Sequence, residues 1–244
     1  MDPICIFQRI EKKYRLSRLQ RQMLLGEIGG RLLPDVYGRS TVLSLYLDTP
    51  DHLLIRNSLD AEAYKEKLRL RSYGTPRADS AVFLELKKKY KGVVYKRRVS
   101  MTLRDAERYF RTGEVPGDSQ IMREIDYAMD FYRRPAPAML IACEREAFTA
   151  KEAPDLRLTF DENIRARDSA LRLDLGSAGT RILPEQEILL EIKTGGAMPL
   201  WLSGALDRCR IRPSSFSKYG AAYLQSLERG GTEQKGEILH VCNF

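Results

Sequence analysis

The chain has 244 residues, 43% of them hydrophobic and 30% charged, with 41 Lys and Arg against 33 Asp and Glu and a net charge of +8. Such a chain can bury a sizeable core in one large β or α+β domain, which excludes a disordered segment. Its basic balance favours an anionic partner: phosphate compounds, nucleic acid or an acidic membrane surface.

In chain order, Arg9 to Leu16 reads as a strand that ends at Ser17. Ser17 and Gln20 make a capping-box start for a helix through Leu19, Met23, Leu24 and Ile28. Ser40 to Asp48 is a second strand, followed by a short helical turn at 51–59. A third strand, Glu62 to Gly74, leads into a turn at Gly74 to Pro76. Residues 81–90 and 93–101 flank Lys91-Gly92 as a hairpin. A helical stretch follows, Arg104 to Phe110 and then Ser119 to Arg134, whose apolar stripe is Ile121, Ile125, Ala128, Met129 and Tyr132. Pro135 and Pro137 stop it. Strands resume at 138–148, 156–167 and 187–194. Two helices close the chain, about Pro199 to Cys209 and from Ser217, an N-cap, to about Leu227. The tail after Gly230 is expected to be loose. The pattern describes a single α+β unit, residues 1–244 with a core at about 9–227, built on a barrel or strongly curved antiparallel sheet.

Successive strand side chains alternate between faces, and this alternation sorts the charges. Lys65, Lys67, Arg69 and Arg71 share one face of the third strand while Leu68 and Leu70 take the other. Glu11, Lys13 and Arg15 share a face, as do Glu85, Lys87 and Lys89, and Lys96 with Arg98. Arg145 ends a face that begins Met139, Ile141, Cys143. Arg157 lies opposite Leu156 and Leu158, and Glu191 and Lys193 oppose Ile188, Leu190 and Ile192. For any one strand, apolar residues inside and lysines in water would explain this. The recurrence does not fit that account, because a solvated surface intersperses both signs and like charges across neighbouring strands destabilise a sheet. If the cationic faces turn inward, they line a channel that only water and a polyanion can occupy, and a phosphate chain suits it.

Four scattered cysteines without a Cys-x-x-Cys pair, and only two histidines, argue against zinc, disulfides and a histidine triad. A metal would sit on oxygen ligands, as Mg2+ or Mn2+, with Glu191 the best candidate; pairing of Glu191 with neighbouring lysines is the competing reading. No phosphate-binding glycine loop, dinucleotide fingerprint or zinc-protease motif occurs. No apolar run is long enough for a membrane segment and the start lacks a secretory pattern, so a cytoplasmic address is expected.

The segments "EKKY", "KLRLRSYG", "FLELKKK", "VYKRR", "EREAF", "LRLTFDENI", "LLEIKT" and "FSKYGAAY", in this order, resemble the VTC domain, the polyphosphate polymerase domain within the triphosphate tunnel metalloenzymes. The resemblance implies a closed antiparallel β-barrel, a triphosphate tunnel, with helices outside and at its mouth. It implies that ATP and inorganic polyphosphate or triphosphate bind inside with Mn2+ or Mg2+, nucleic acid not being expected. By motif, phosphate-binding roles fall on Lys13, Arg69, Arg71, Lys87, Lys96, Arg145, Arg157, Ser217 and Lys218, with Lys193 beside them from the alternation, and the metal role falls on Glu191. Arg69, Arg71, Arg145 and Arg157 are expected to hold phosphate oxygens, and Lys13, Lys87 and Lys218 to screen repulsion. The chain departs from the family pattern at Cys143, where an aromatic residue is usual, and at Ser215, where fungal members tend to carry a lysine. The implied activity is transfer of the γ-phosphate of ATP to a growing chain. A tripolyphosphatase or nucleoside triphosphatase in the same barrel, and a non-catalytic polyphosphate or nucleic-acid binder using Tyr64, Tyr73, Tyr90 and Tyr95, are the alternatives.

Overall fold

The computed structural model describes residues 10–60, 63–91 and 93–241. Strands β1 (Ile10–Ser17), β2 (Leu32–Asp48), β3 (Tyr64–Tyr73), β4 (Ala81–Tyr90), β5 (Val93–Thr102), β6 (Ala136–Ala150), β7 (Ala153–Arg167), β8 (Thr180–Arg181) and β9 (Glu187–Thr194) form one sheet. Its helices are α1 (Arg18–Ile28), α2 (Leu53–Leu59), α3 (Leu103–Thr112), α4 (Gln120–Phe131), α5 (Leu200–Arg208) and α6 (Lys218–Val241). The strand order is β1-β9-β7-β6-β2-β3-β4-β5, antiparallel throughout, with two-residue β8 added to β7.

The sheet curls, so that β1 at one end and β4, next to the other end, approach across the concave side. Lys87 on β4 reaches Glu11 on β1 at 3.5 Å, while β1 and β5 are not paired through their backbones among the described residues. The architecture is therefore α+β with a curled antiparallel sheet, and what approaches closure does so through side chains.

Alternation places two apolar clusters on the convex side. Leu68, Leu70, Leu84 and Leu86 pack under α3 and α4, and Leu16, Leu158, Leu190 and Ile192 pack under α1 and α5. A third cluster lies on the concave side, where Tyr219 and Tyr223 of α6 and Ile55 of α2 meet Tyr46, Ile141 and Cys143. Helix α6 thus fills part of the concavity with an apolar plug, and the remaining concave surface is polar.

Local signals account for several boundaries. The Ser17 hydroxyl accepts from the Gln20 N–H at 3.1 Å while the Gln20 side chain accepts from the Ser17 N–H at 3.0 Å, the reciprocal pattern that starts a helix. Strands β4 and β9 begin and end where the alternation places them; Gly92 of the hairpin lies outside the described residues. Three expectations need correction. On α4 it is Met122 that is buried and Ile121 that is 37% exposed, because the helix turns its inward stripe through Met122, Ile125 and Met129. Strand β2 begins at Leu32, ahead of Ser40, pairing with Ala150 and resuming at Arg39 after an irregularity. Helix α6, expected to end at about Leu227, continues to Val241; Gly230, Gly231 and Gly236 each weaken a helix by about 1 kcal/mol without ending it.

Candidate functional site

The concave polar surface carries the cations that alternation grouped. Cross-strand register adds what alternation cannot give, which residues face each other. Lys67 on β3 lies opposite Lys87 on β4, and Lys87 lies opposite Lys96 on β5. Three lysines in one row across three paired strands would destabilise the sheet if nothing stood between them. Their existing partners are few: the Ser217 hydroxyl for Lys67 at 3.0 Å, Glu11 for Lys87, and Glu85 for Lys96 at 2.8 Å. Burial pushes the Lys67 ammonium down to about 8, and the charges of Lys13, Lys87 and Arg69 add to this against the pull of Tyr46. Burial also takes Lys96 down to about 8, although Glu85 opposes it, and lowers Lys87 in the same way.

The neighbouring row is built around one carboxylate. Glu85, 1% exposed, accepts from Arg69 Nε at 2.8 Å, from Arg98 Nε at 2.6 Å and from Lys96, and Arg71 stands 4.0 Å away. Burial works to raise its carboxyl, but Arg69, Arg71 and Lys96 prevail and hold it well below the usual carboxylate range. Arg69 also donates to the Tyr46 hydroxyl at 3.1 Å, whose ring stacks on Tyr219 of the plug. Burial would raise that phenol, yet Arg69, Lys67 and Arg71 bring it down to about 8.

A second centre joins β6, β7, β9 and α6. Asp161, with no exposure, is gripped by Arg145 through two 2.6 Å hydrogen bonds and by Lys218 at 2.5 Å. Lys218 also reaches Glu191 at 3.0 Å, and Lys193 approaches the other Glu191 oxygen at 3.0 Å. Burial would raise the Glu191 carboxyl, but Lys218, Lys193, Lys13 and Arg145 hold it far below the usual range. The Ser217 hydroxyl accepts from Gly220 N–H at 3.2 Å as the N-cap of α6, which aims the start of that helix into the concavity. Lys13 is tied beside it, donating to the Phe216 carbonyl at 2.9 Å.

Of the residues chosen from the sequence, Lys13, Arg69, Arg71, Lys87, Lys96, Arg145, Lys193, Ser217, Lys218 and Glu191 are thus brought to one concave surface. Arg157 stands opposite Lys193 in register but pairs with Asp35 of β2 and is half-exposed, at the margin. The deepest cations, Arg71, Arg145 and Lys218, have side chains 10–16% exposed. Cys143 is buried beside them in the apolar plug, its thiol pushed up to about 12 by burial and by Asp161. Ser215 is exposed.

Sequence reasoning missed Asp161, the shared carboxylate of Arg145 and Lys218, and the stacked Tyr46; Glu85 was seen on its face but not as the hub of four cations. Asp161 stands where the alternation of β7 predicts an inward residue, two positions before Asn163, whose φ of 51° marks a local irregularity. That alternation was the available signal.

Among the described residues no group of three His, Cys, Asp or Glu side chains comes together, and both oxygens of Glu191 are engaged by lysines. The protein alone therefore does not form a metal cage. Glu191 carries carboxylate oxygens of the type that a hard divalent cation takes.

A curled antiparallel sheet whose concave face gathers arginines and lysines around a few buried carboxylates defines the triphosphate tunnel class of proteins. Within it, the chain belongs to the VTC domain family, whose sequence profile matches residues 8–227. Among solved structures it is similar to a candidate adenylate cyclase from Bacillus halodurans, at 12% identity and a TM-score of 0.54, covering 86% of this chain and 95% of that one. It is also similar to a candidate adenylate cyclase from Vibrio parahaemolyticus, at 11% identity and a TM-score of 0.49, covering 87% and 96%. At 12% identity the likeness to the Bacillus halodurans structure shows the fold alone. No curated protein sequence matches the chain significantly.

Proposed function

We propose that this protein is a polyphosphate polymerase: it seats ATP and the end of a phosphate chain on its concave face and moves the γ-phosphoryl group onto that chain. The row Lys67, Lys87, Lys96 carries the reading. Three opposed lysines, two of them with ammonium groups lowered to about 8, are met by only two carboxylates, Glu11 and Glu85, and an anion with charge at closely repeated intervals would relieve them further.

In the reaction, a terminal oxygen of the acceptor chain forms a bond to the γ-phosphorus while the bond from that phosphorus to the β–γ bridging oxygen breaks, and ADP leaves. Such transfer needs alignment and charge stabilisation rather than covalent help from the protein. Arg69 and Arg71 hold donor oxygens in this reading by their planar forks, exchanging Glu85 for phosphate. Arg145 and Lys218 are placed to do the same at the Asp161 centre, and Lys13, Lys87 and Lys96 to reduce repulsion between donor and acceptor. Glu191 would hold a divalent ion, which would supply Lewis-acid polarisation of the transferring group. Which ion serves in the cell, Mn2+ or Mg2+, is a matter for the assay.

The test is product sizing on a gel after incubation with ATP and each metal, with ADP and free phosphate measured in parallel. A ladder of chains that an exopolyphosphatase degrades, with ADP formed in excess of free phosphate, is the expected result. Free phosphate equal to ADP, with no chains, would assign hydrolysis in the same fold.

The sequence places Tyr64, Tyr73, Tyr90 and Tyr95 near the charged strands, and all four are 41–50% exposed. Tyr64 and Tyr90 contact each other, and Tyr64 donates to the buried Glu66 of the convex face. Tyr64, Tyr90 and Tyr95 fall on the other face by alternation, whereas the Tyr73 hydroxyl accepts from Arg98 at 3.2 Å beside the Glu85 row; one tyrosine there is less than the series of rings a base-stacking track uses. No helix among the described residues is long and apolar enough to cross a membrane.

A further inference from the structure

The lysine rows do not end with the tunnel. One step beyond Lys67 and Lys87, Lys65 on β3 lies directly opposite Lys89 on β4. Lys65 donates to a neutral group, the Ser58 carbonyl at 2.9 Å, and among the described residues Lys89 makes no ion pair or hydrogen bond. In the other direction the next row is Arg69, Glu85 and Arg98. The face therefore passes from mixed charge around Glu85 to pure positive charge toward the β4–β5 hairpin.

Two ordinary explanations fail. Lysines are often used to protect a sheet edge from further pairing; β2 pairs β3 only from Leu68 to Tyr73, so Lys65 lies past that pairing, but Lys89 has β3 on one side and β5 on the other, where there is no edge to protect. A solvated surface mixes its signs, and here, among the described residues, two cations oppose each other with no carboxylate between them. The ligand chemistry is also restricted. Tyr64 and Tyr90, adjacent in sequence to Lys65 and Lys89, project to the other face by alternation, and Val94 is the β5 neighbour of Lys89. A charged chain without bases fits this face better than a nucleic acid.

We propose that Lys65 and Lys89 form a binding step for inorganic polyphosphate outside the tunnel, one that engages only chains long enough to reach it. From Arg71 to Lys65 the strand advances about 20 Å, farther than a triphosphate seated on Arg69 and Arg71 extends. The step would retain a long chain and leave short ones unaffected, and so favour long products. This inference rests on the reading of the concave face as a polyphosphate site.

The experiment is equilibrium binding of tripolyphosphate and of long-chain polyphosphate to three proteins. They are the wild type, the double variant Lys65→Gln/Lys89→Gln, and a charge-matched control, Lys12→Gln/Lys151→Gln, altered on surfaces away from the concavity. The double variant should bind tripolyphosphate as the wild type does and lose about three- to thirty-fold in affinity for the long chain, the scale of two exposed charge contacts. The control should stay within about twofold for both ligands. Unchanged long-chain affinity in the double variant would overturn the proposal. So would an equal loss in the control, or a parallel loss of tripolyphosphate binding. If the wild type binds neither ligand, the tunnel reading itself fails.

Discussion

Replacing Glu85 with glutamine removes the one negative charge that Arg69, Arg71, Lys96 and Arg98 share while keeping the side chain's shape. Breaking a buried ion pair from one side costs about 3–5 kcal/mol. Here the lower end applies, about 3 kcal/mol, because Lys96 and Arg98 have side chains 42% and 33% exposed and water can take over part of the lost contact. For a domain of this size each kcal/mol moves the melting temperature by about 2–4 °C, so Glu85→Gln should melt roughly 6–12 °C below the wild type. The direction with pH follows from the lowered carboxyl. Its stabilisation is complete above the unfolded value near 4.5 and is lost as pH falls through the folded one, so the two proteins should converge in acid. The assay is thermal melting with and without saturating tripolyphosphate. Phosphate oxygens can replace the missing carboxylate, so the ligand should recover more than half of the deficit. A variant that melts with the wild type, or whose deficit is unchanged by tripolyphosphate, would refute the reasoning.

Two further outcomes follow from the same charges. Burial lowers Lys67 to about 8 from an ordinary 10.5, so between those values the unfolded chain holds more protons than the folded one, and the stability of the empty protein should rise with pH across that window. A bound polyanion restores the proton, so tripolyphosphate binding above pH 8 should take up protons in calorimetry across buffers and weaken by up to about tenfold per pH unit for each such lysine; binding without proton uptake would contradict this. Glu191→Gln should abolish metal-dependent turnover while leaving anion affinity within about threefold, since the amide oxygen still accepts from one of Lys193 and Lys218 and the other is free to meet the anion; full activity would remove Glu191 from the metal role.

Much of this was legible in the sequence, for a physical reason. A period of two forces each strand to declare which residues share a face, so Lys65, Lys67, Arg69 and Arg71 could be grouped, and so could Glu191 with Lys193. The Ser17/Gln20 cap and the bounds of β4 and β9 depend on local chemistry and were equally readable. The pairing of rows was not, because Lys67 meets Lys87 and Lys96 only through a register set by long-range hydrogen bonding. The same holds for Asp161. Its importance comes from Arg145 on a neighbouring strand and Lys218 on a helix more than fifty residues later, and no local pattern records that meeting. The apolar plug of Tyr46, Cys143, Tyr219 and Tyr223 was also hidden, since alternation identifies an inward face without saying that a helix will occupy part of it.

The most direct measurement is a paired reading on Lys87→Met: melting temperature of the empty protein and affinity for tripolyphosphate. If the lysine row exists to hold a phosphate chain, removing its central charge relieves repulsion and the protein melts higher, while tripolyphosphate binds at least about tenfold more weakly. A variant that melts lower and binds tripolyphosphate as well as the wild type would mean the row serves the fold, and the account of the concave face would be wrong.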